Sequence, residues 1–459
     1  MTPEEFREHG YSVIDWITRY MEEVEGMDVL PVVSPGDIGN MLPDTAPESG
    51  ETFGQLLGDL DRIVMPGVTH WQSPNWFAYF PANVSGVSIL AELVSAALGQ
   101  QGMLWSTSPA TTEIELKVLD WLVDLMDLPQ GWKSSGAGGG VIQMSASDST
   151  HTVLVVARHQ NRFRASATDM VVYVSDQAHS SIEKGCTIAG IGHCVKVDVD
   201  DAFALDPAAL RSLIQQHIAE GLTPIAVVSA IGTTATTAVD PVEAIADIAQ
   251  EFDLWHHVDA AYAGTAMVCE EFRFHQPALE RVDSYTFNPH KWMMVNFDCN
   301  VLWVADRAPL IDTMSILPAI LSNTAPDVGD VVDYRDWHVP LGRRFRALKL
   351  WWVLRYFGAE GIRGLVRDHV ALADSFAEWI ESDDRFELFA PHPFGLVCFT
   401  HVDGDEATRA LADALNATRQ VAITPSVIGT TSFIRIAIGQ TNTEEVHVEA
   451  LKTLIDKLS

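Results

Sequence analysis

Four short apolar segments, separated by stretches that are predicted to form helices or loops, constrain the fold of this 459-residue chain most strongly. The segments occupy residues 171–175, 225–231, 254–258 and 300–305. Runs of this length are typical of strands that are buried on both faces, and in α/β proteins such strands alternate with helices. The pattern predicts a mainly parallel central sheet with helices on both of its faces.

Polar residues lie at or near the ends of these segments. They are His179, Thr234, Asp259 and Lys291. In sheets of this kind, ligands bind beyond the carboxyl ends of the strands. We therefore expect these four side chains to lie near one another at a ligand site.

The chemistry of that site is indicated by Lys291, which follows Asp259 along the chain and has His179 upstream. A lysine amine can form a Schiff base with an aldehyde, and an aspartate can keep a pyridine nitrogen protonated so that the ring accepts electrons. An unpaired carboxylate in an apolar strand end would be costly to bury, and a pyridinium partner removes that cost. The combination predicts a site for pyridoxal 5'-phosphate (PLP).

Composition and charge exclude several other classes of protein. The chain is 47% hydrophobic and 20% charged, which is typical of a globular protein, and no apolar run is long enough to predict a membrane span. The net charge of −33 disfavours binding to nucleic acid or to anionic membranes. The five cysteines form no C-x-x-C pair, so neither a metal site nor a disulfide framework is predicted. With no secretory leader apparent, a cytoplasmic location is expected.

Three regions are predicted along the chain. Residues 1–85 form an N-terminal helical segment, residues 86–355 a large cofactor-binding domain, and residues 356–459 a small α+β domain. Apolar residues recur at helical spacing near the N-terminus, at Phe6, Val13, Ile14, Ile17 and Met21. Because the first segment has too little core of its own, we expect it to pack on a partner subunit.

Several motifs resemble the aromatic-L-amino-acid decarboxylase family of group II PLP-dependent decarboxylases. In chain order they are FREHG at 6–10, MPGVTHW at 65–71, FAYFP at 77–81, SDQAHSS at 175–181, NPHKW at 288–292 and PLGRRFR at 340–346. The resemblance implies the fold of PLP-dependent transferases of the aspartate aminotransferase type (fold type I). It also implies a homodimer with its active site at the subunit interface.

The resemblance assigns a role to each cofactor residue. Lys291 binds the PLP aldehyde, His179 stacks on the ring, Asp259 contacts the pyridine nitrogen, Ala261 lies under the ring and Thr234 lies near it. The phosphate is assigned to Ala146, Ser147, Asn288 and His290. The glycine-rich stretch 134–140 lacks the Gly-Lys-Ser/Thr ending of a nucleotide-binding P-loop. We expect Ser145 or Ser147 to cap a helix that begins around Asp148.

The resemblance also implies a wall for the substrate side chain. Its residues are Trp71, Tyr79, Phe80, Pro81 and Ala82, with Gln101 and Met103 from the partner subunit, and Gly342. For the aromatic run at 71–81, plain core packing is the alternative. Ala82 replaces a threonine of the mammalian members, which disfavours specificity for catechols. Gly342 leaves room for a bulky ring.

One position departs from the resembled family. Its decarboxylases carry a loop tyrosine that is thought to protonate the substrate carbon after carbon dioxide leaves, and Ile320 occupies that position here. Isoleucine has no proton to donate. We predict decarboxylation of an aromatic L-amino acid (tryptophan, phenylalanine, tyrosine or DOPA) to the arylalkylamine. An aromatic aldehyde synthase, which consumes O2 and releases NH3 and H2O2, is the alternative. A further alternative is a non-catalytic homologue that binds PLP. A transaminase, or a lyase that cleaves another bond, is a more distant alternative.

Overall fold

A seven-stranded sheet holds together the larger part of the protein. The computed structural model describes residues 1–315 and 331–459. In chain order the strands are β1 (Gly139–Gln143), β2 (Met170–Ser175), β3 (His193–Val197), β4 (Thr223–Ala230), β5 (Trp255–Asp259), β6 (Ser284–Phe287) and β7 (Asn300–Val304). Their spatial order is β1-β7-β6-β5-β4-β2-β3. The pairs among β2 to β6 are parallel, so the predicted mainly parallel sheet is confirmed.

Helices cover both faces of this sheet, as predicted. Helices α5 (Ala146–Gln160) and α6 (Ser181–Ala189) pack on one face, and α7 (Pro207–Ala219) and α8 (Val242–Phe252) pack on the other. Strand β2 shows why both faces are apolar. Its even-numbered residues pack against α5 and α6, while its odd-numbered residues Val171 and Tyr173 pack against α7 and α8.

Strand β7 runs antiparallel to both of its neighbours, β1 and β6. The chain between β6 and β7 contains only the short helix α9 (Pro289–Trp292), whereas a parallel connection is usually made by a long crossover helix. As a result, the amino end of β7 lies at the same edge of the sheet as the carboxyl ends of β1, β2, β4, β5 and β6.

By compactness, the described chain divides into two units. The unit that holds the seven-stranded sheet comprises residues 82–379 and 388–398. Its remaining helices are α3 (Gly86–Leu98), α4 (Pro109–Leu125), α10 (Arg307–Met314) and most of α11 (Ala347–Glu381). Helix α11 is interrupted at Gly358, whose φ of 66° and ψ of 175° are not helical.

The other unit comprises residues 1–81, 380–387 and 399–459. Its helices are α1 (Pro3–Glu23), α2 (Phe53–Asp59), α12 (Asp405–Ala417) and α13 (Glu445–Leu458). A second sheet has the order β10-β11-β9-β8, from β8 (Phe386–Leu388), β9 (Leu396–His401), β10 (Thr424–Ile428) and β11 (Thr431–Ala437). The predicted N-terminal helix is confirmed as α1, which begins with a capping box between Thr2 and Glu5.

Helix α1 has no buried residue within the described chain, although its apolar residues follow a helical period. Among the helices that the structure describes, none has the length and apolar character needed to cross a membrane.

Candidate active site

The predicted cofactor residues all lie at one edge of the seven-stranded sheet. This is the edge at which β1, β2, β4, β5 and β6 end and β7 begins. Ala146 and Ser147 follow β1, His179 follows β2, Thr234 follows β4, Asp259 ends β5 with Ala261 two residues on, and Asn288, His290 and Lys291 follow β6. Strand direction therefore brings together residues that are as far as 145 positions apart in the chain, from Ala146 to Lys291.

Helix α5 presents backbone donors at this edge. Ser145 is its N-cap, and the Ser145 side chain accepts a hydrogen bond of 3.2 Å from the backbone N–H of Asp148. Ser145, one of the two predicted caps, is therefore confirmed, and the helix begins two residues before the expected Asp148. The N–H groups of Ala146 and Ser147 have no acceptor among the described residues. Such free amides at a helix N-terminus are suited to a phosphate.

The glycine-rich stretch that precedes β1 has a steric explanation. A Cβ atom on Gly136 would lie 2.2 Å from the carbonyl oxygen of Gly131, and one on Gly138 would lie 2.2 Å from that of Val304. Arg307 also donates hydrogen bonds to the carbonyl oxygens of Ser134, Gly136 and Ala137 in this stretch. These glycines allow close packing of the backbone.

His290 is buried in the loop after β6, and its tautomer is fixed by the backbone. Its Nδ1 accepts a hydrogen bond of 2.9 Å from the N–H of Cys299, so the proton of the neutral ring is on Nε2. Burial, assisted by the nearby charge of Lys291, lowers the pKa of His290 to about 3. His290 is therefore a neutral donor at physiological pH.

His179 has the same protonation pattern. Its Nδ1 accepts a hydrogen bond of 3.1 Å from the N–H of Ser181, which leaves the proton on Nε2. Partial desolvation lowers the pKa of His179, the charge of Lys291 lowers it further, and the carboxylate of Asp259 opposes the shift. The neutral ring can lie against an aromatic surface while it keeps a proton at Nε2.

Asp259 is a carboxylate with no ion-pair partner among the described residues. Its side chain is 8% exposed, and its Oδ1 accepts a hydrogen bond of 2.9 Å from the N–H of Ala261. No lysine, arginine or histidine in the described ranges forms an ion pair with it. A protonated pyridine nitrogen would supply the missing partner, so this carboxylate fits the ring of PLP.

Four predicted substrate residues belong to the larger unit, and three of them lie together. The side-chain Oε1 of Gln101 accepts a hydrogen bond of 2.6 Å from the backbone N–H of Arg343, next to Gly342. A Cβ atom on Gly342 would lie 3.3 Å from Gln101 Nε2. The carbonyl oxygen of Met103 accepts a bond of 3.0 Å from the N–H of Arg335. Ala82 precedes Asn83, whose N–H donates to the carbonyl oxygen of His290 at 3.0 Å.

The other predicted substrate residues belong to the smaller unit. The ring centroids of Trp71 and Tyr79 are 5.7 Å apart, and the guanidinium of Arg435 lies 5.3 Å from the ring centre of Phe80. Pro81 is buried, whereas Tyr79 is 58% exposed and has a left-handed φ of 54°. Ile320, the position of the loop tyrosine in the resembled family, lies outside the described residues.

Sequence reasoning missed a set of buried polar residues beneath the site. The hydroxyl of Ser149 lies within hydrogen-bond distance of Asn300 Oδ1 and Gln143 Oε1, and Asn300 donates to Asn288 in the loop that carries Lys291. Behind Asp259, the hydroxyl of Ser284 contacts His257 Nδ1 at 2.9 Å. Asn300 was within a predicted strand, but nothing in the local sequence indicates the direction or the neighbours of that strand.

Comparisons with known proteins agree with this geometry. The profile of the pyridoxal-dependent decarboxylase conserved domain matches residues 35–402. Tyrosine decarboxylase 2 of Narcissus pseudonarcissus is 42% identical over 98% of this chain and 93% of that protein. Phenylacetaldehyde synthase of Arabidopsis thaliana is 42% identical over 100% of this chain and 97% of that protein.

A solved structure extends the likeness to the fold and the cofactor. The structure of Oryza sativa TDC with PLP and tryptamine has a TM-score of 0.98 and 38% identity, over 100% of this chain and 98% of that chain. The expected fold type I is thereby confirmed, with a helical N-terminus and a small second sheet. The cofactor is PLP, which the buried Asp259 carboxylate and the free donors of the site fit. The chain therefore belongs to the pyridoxal-dependent decarboxylase family.

Proposed function

We propose that this PLP-dependent carboxy-lyase decarboxylates aromatic L-amino acids to arylalkylamines and carbon dioxide. Tryptophan, phenylalanine, tyrosine and DOPA are the candidate substrates. The observation that carries the proposal is the position of Lys291 and Asp259 at the same sheet edge, on a chain that is 42% identical to a tyrosine decarboxylase. Crystals of a relative at 38% identity contain tryptamine, the amine of tryptophan.

PLP, when it is bound, supplies an aldehyde for amines and a ring that stabilises the negative charge left at Cα after carbon dioxide departs. We assign the binding of the aldehyde to the amine of Lys291. Asp259 holds the proton on the ring nitrogen, and its bond from Ala261 fixes the carboxylate in place. His179 packs on the ring as a neutral imidazole and holds a proton at Nε2. Ala261 would lie under the ring and Thr234 near it.

The phosphate is assigned to four groups of donors. They are the backbone N–H groups of Ala146 and Ser147, the hydroxyl of Ser147, the side-chain amide of Asn288, and Nε2–H of His290. All of these are neutral, and the N-terminus of α5 adds its partial positive charge. Neutral donors that are already oriented lose little freedom on binding an anion.

We assign substrate binding to Trp71, Tyr79, Phe80, Pro81, Ala82, Gln101, Met103 and Gly342. The contact between Gln101 and the position of Gly342 supports a role in ring size, because a single added carbon would meet Gln101 Nε2 at 3.3 Å. An unsubstituted glycine there favours bulky rings such as indole.

We propose that the protein acts as a homodimer, with residues 1–85 serving in dimerisation. Helix α3 exposes the large apolar residues Leu90, Leu93, Val94 and Leu98, which lie at helical spacing on one stripe. Contiguous apolar surface of this kind is typical of an interface with another chain. Helix α1, with no buried residue in the described chain, also has apolar side chains that a second copy would cover. The free state of all five cysteines supports a reducing compartment, the cytoplasm.

A second candidate function follows from Ile320 and from the 42% identity to a phenylacetaldehyde synthase. Without a proton donor at that position, the substrate carbon would react with oxygen before it is protonated. The balanced reaction consumes the amino acid, O2 and water, and it releases the aldehyde, carbon dioxide, ammonia and hydrogen peroxide.

Product analysis distinguishes these functions. PLP-loaded enzyme is given L-tryptophan, L-phenylalanine, L-tyrosine and L-DOPA in air, and carbon dioxide, amine, aldehyde and peroxide are measured together. Amine without peroxide supports the decarboxylase, and aldehyde with an equal amount of peroxide supports the aldehyde synthase. Retention of PLP without carbon dioxide from any substrate would refute both and leave a non-catalytic homologue. Lys291→Ala is the inactive control, with Lys184→Ala on the exposed side of α6 as its matched partner.

A further inference from the structure

Asn300, the first residue of β7, connects three parts of the site through one buried side chain. Its Nδ2, which carries two hydrogens, lies within hydrogen-bond distance of three acceptors: Thr286 Oγ1 at 2.9 Å, the carbonyl oxygen of Phe287 at 2.9 Å and Asn288 Oδ1 at 2.8 Å. Its Oδ1 accepts from the hydroxyl of Ser149 in the first turns of α5. The side chains of Asn300, Thr286 and Ser149 are fully buried.

The bond between Asn300 and Asn288 determines which way the Asn288 amide faces. Because Asn288 Oδ1 is engaged as an acceptor, its Nδ2 points away from Asn300, and a reversed amide would place two NH2 groups against each other. No residue in the described part of the chain accepts a hydrogen bond from Asn288 Nδ2. Asn288 is only 3% exposed, so an incorrectly oriented amide could not be compensated by solvent.

The backbone around Asn288 is also fixed. Its N–H donates to the carbonyl oxygen of Ala261 at 3.0 Å, and its carbonyl oxygen accepts from the N–H of Lys291 at 3.0 Å. The orientation of the side-chain amide, in contrast, depends on Asn300 at the start of β7.

We propose that Asn300 is a positioning residue for the cofactor phosphate. It orients Asn288 so that Nδ2–H is presented to the phosphate. The inference rests on the proposed assignment of Asn288 to the phosphate. It adds a residue that does not itself touch the cofactor.

The direct test compares two ligands of the apo-enzyme, PLP and pyridoxal, which differ by the phosphate. Dissociation constants are measured by absorbance titration for wild type, Asn300→Ser, Asn288→Ala and the double variant. Asn300→Ser is too short to reach Asn288. We expect wild type to prefer PLP, and each single variant to lower that preference about tenfold, as for one hydrogen bond to a charged group. The double variant should show no further loss, since both changes remove the same donor.

Ser149→Ala is the matched control. It removes another hydrogen bond of Asn300 but leaves the bond to Asn288, so the preference for PLP should remain while the melting temperature of the apo-enzyme falls. A purely structural Asn300 would give the opposite pattern, with Asn300→Ser weakening PLP and pyridoxal equally. That result would overturn the inference.

The outcomes also separate this inference from the assignment on which it rests. An unchanged preference in Asn288→Ala would refute the phosphate role of Asn288, and the inference with it. If the preference for PLP over pyridoxal fell in Asn288→Ala but stayed unchanged in Asn300→Ser, the inference about Asn300 would be refuted while the phosphate role of Asn288 would stand. Should Asn300→Ser not fold, Asn300→Asp keeps the shape of the residue. Its carboxylate turns the Asn288 amide over, so the preference for PLP should again fall, and an unchanged preference would count against the inference.

Discussion

Arg343 and Glu115 form an ion pair with 2.6 Å between Nη2 and Oε1, and their side chains are 1% and 0% exposed. The same guanidinium donates to the carbonyl oxygen of Ile142 at 3.0 Å and lies 4.3 Å from the ring centre of Tyr334. Its backbone N–H donates to Gln101, so the pair anchors the segment that contains Gly342. A fully buried ion pair thus fixes the residue that follows Gly342.

Breaking this pair should cost far more stability than breaking a surface pair. Glu115→Ala leaves the Arg343 charge buried without a partner, and we expect a loss of about 3–5 kcal/mol in the free energy of unfolding. The measurement is urea unfolding of the apo-enzyme. Glu251→Ala, which breaks the exposed pair with Arg211, is the control and should cost no more than about 1 kcal/mol. Similar losses in the two variants would show that the buried pair has no special role.

Adding a carbon at Gly342 should change the preference among aromatic rings. In Gly342→Ala the new Cβ would lie 3.3 Å from Gln101 Nε2, so the space for a large ring shrinks. We expect kcat/KM for tryptophan to fall about tenfold relative to that for phenylalanine, the usual effect of about one methylene in a pocket. Gly364→Ala adds a Cβ that meets no atom within 4 Å and should leave the ratio unchanged. An equal fall for both substrates in Gly342→Ala would contradict a role in selectivity.

Replacing the carboxylate of Asp259 should remove most of the activity while the fold is kept. Asp259→Asn has the same shape but no charge to hold a proton on the ring nitrogen. We expect kcat/KM to fall on the order of 10²–10³-fold, the usual cost of removing one member of a buried ion pair. The measurement is initial rates at saturating PLP, with the exposed Asp201→Asn as control. Near-normal turnover in Asp259→Asn would remove this residue from the site.

Acid should destabilise the protein in part through His256. Burial, with a smaller contribution from His257, lowers the pKa of His256 to about 3 in the folded state, against about 6.5 when unfolded. The unfolded chain therefore binds a proton below pH 6.5 that the folded chain does not, and the free energy of unfolding decreases as pH falls. Between pH 7.5 and 5.5 this one group accounts for about 1.4 kcal/mol.

His256→Gln should remove that contribution, so the variant loses about 1.4 kcal/mol less than wild type over this interval, measured from urea unfolding at the two pH values. His193→Gln, in the half-buried strand β3, serves as the control and should retain the wild-type difference. If the free energy of unfolding of His256→Gln changed between the two pH values as much as that of wild type, the His256 ring would not be desolvated in the folded protein.

Placing a tyrosine at position 320 should favour amine over aldehyde. The hydroxyl of Ile320→Tyr can donate a proton, whereas Ile320→Phe adds a ring without a donor. We expect the ratio of amine to aldehyde, measured with phenylalanine in air, to rise in the tyrosine variant only. Equal ratios in both variants would mean that another group supplies the proton.

The placement of the candidate site residues at one sheet edge could be predicted from the sequence because strand ends and polar residues coincide. His179, Thr234 and Asp259 each stand where an apolar segment stops, and the parallel sheet then places them at one edge. The direction of β7 could not be predicted in the same way, because the segment 300–305 has the same apolar composition in either direction. The contact of Asn300 with Asn288 could not be predicted either, because it depends on the direction of β7.

Contacts between distant positions were also beyond local sequence patterns. Arg343 and Glu115 are 228 positions apart, and each alone is typical of an exposed charged residue. Only the packed structure shows that both are buried. The start of α5 was missed by two residues for a different reason, since Ser145 and Ser147 are equally good caps by residue type.

The crowded backbone before β1 has a consequence for how this protein tolerates random change. Gly136 and Gly138 lie against carbonyl oxygens with no room for any side chain, and Gly140 lies against the indole of Trp303. In a saturation mutagenesis survey, we therefore expect substitutions at these positions to abolish activity as completely as substitutions of Lys291. At these glycines, sensitivity to substitution reflects close packing of the backbone and not a chemical role. Solubility distinguishes the two causes, because variants with disrupted packing are insoluble whereas variants that lack a catalytic group are folded but inactive.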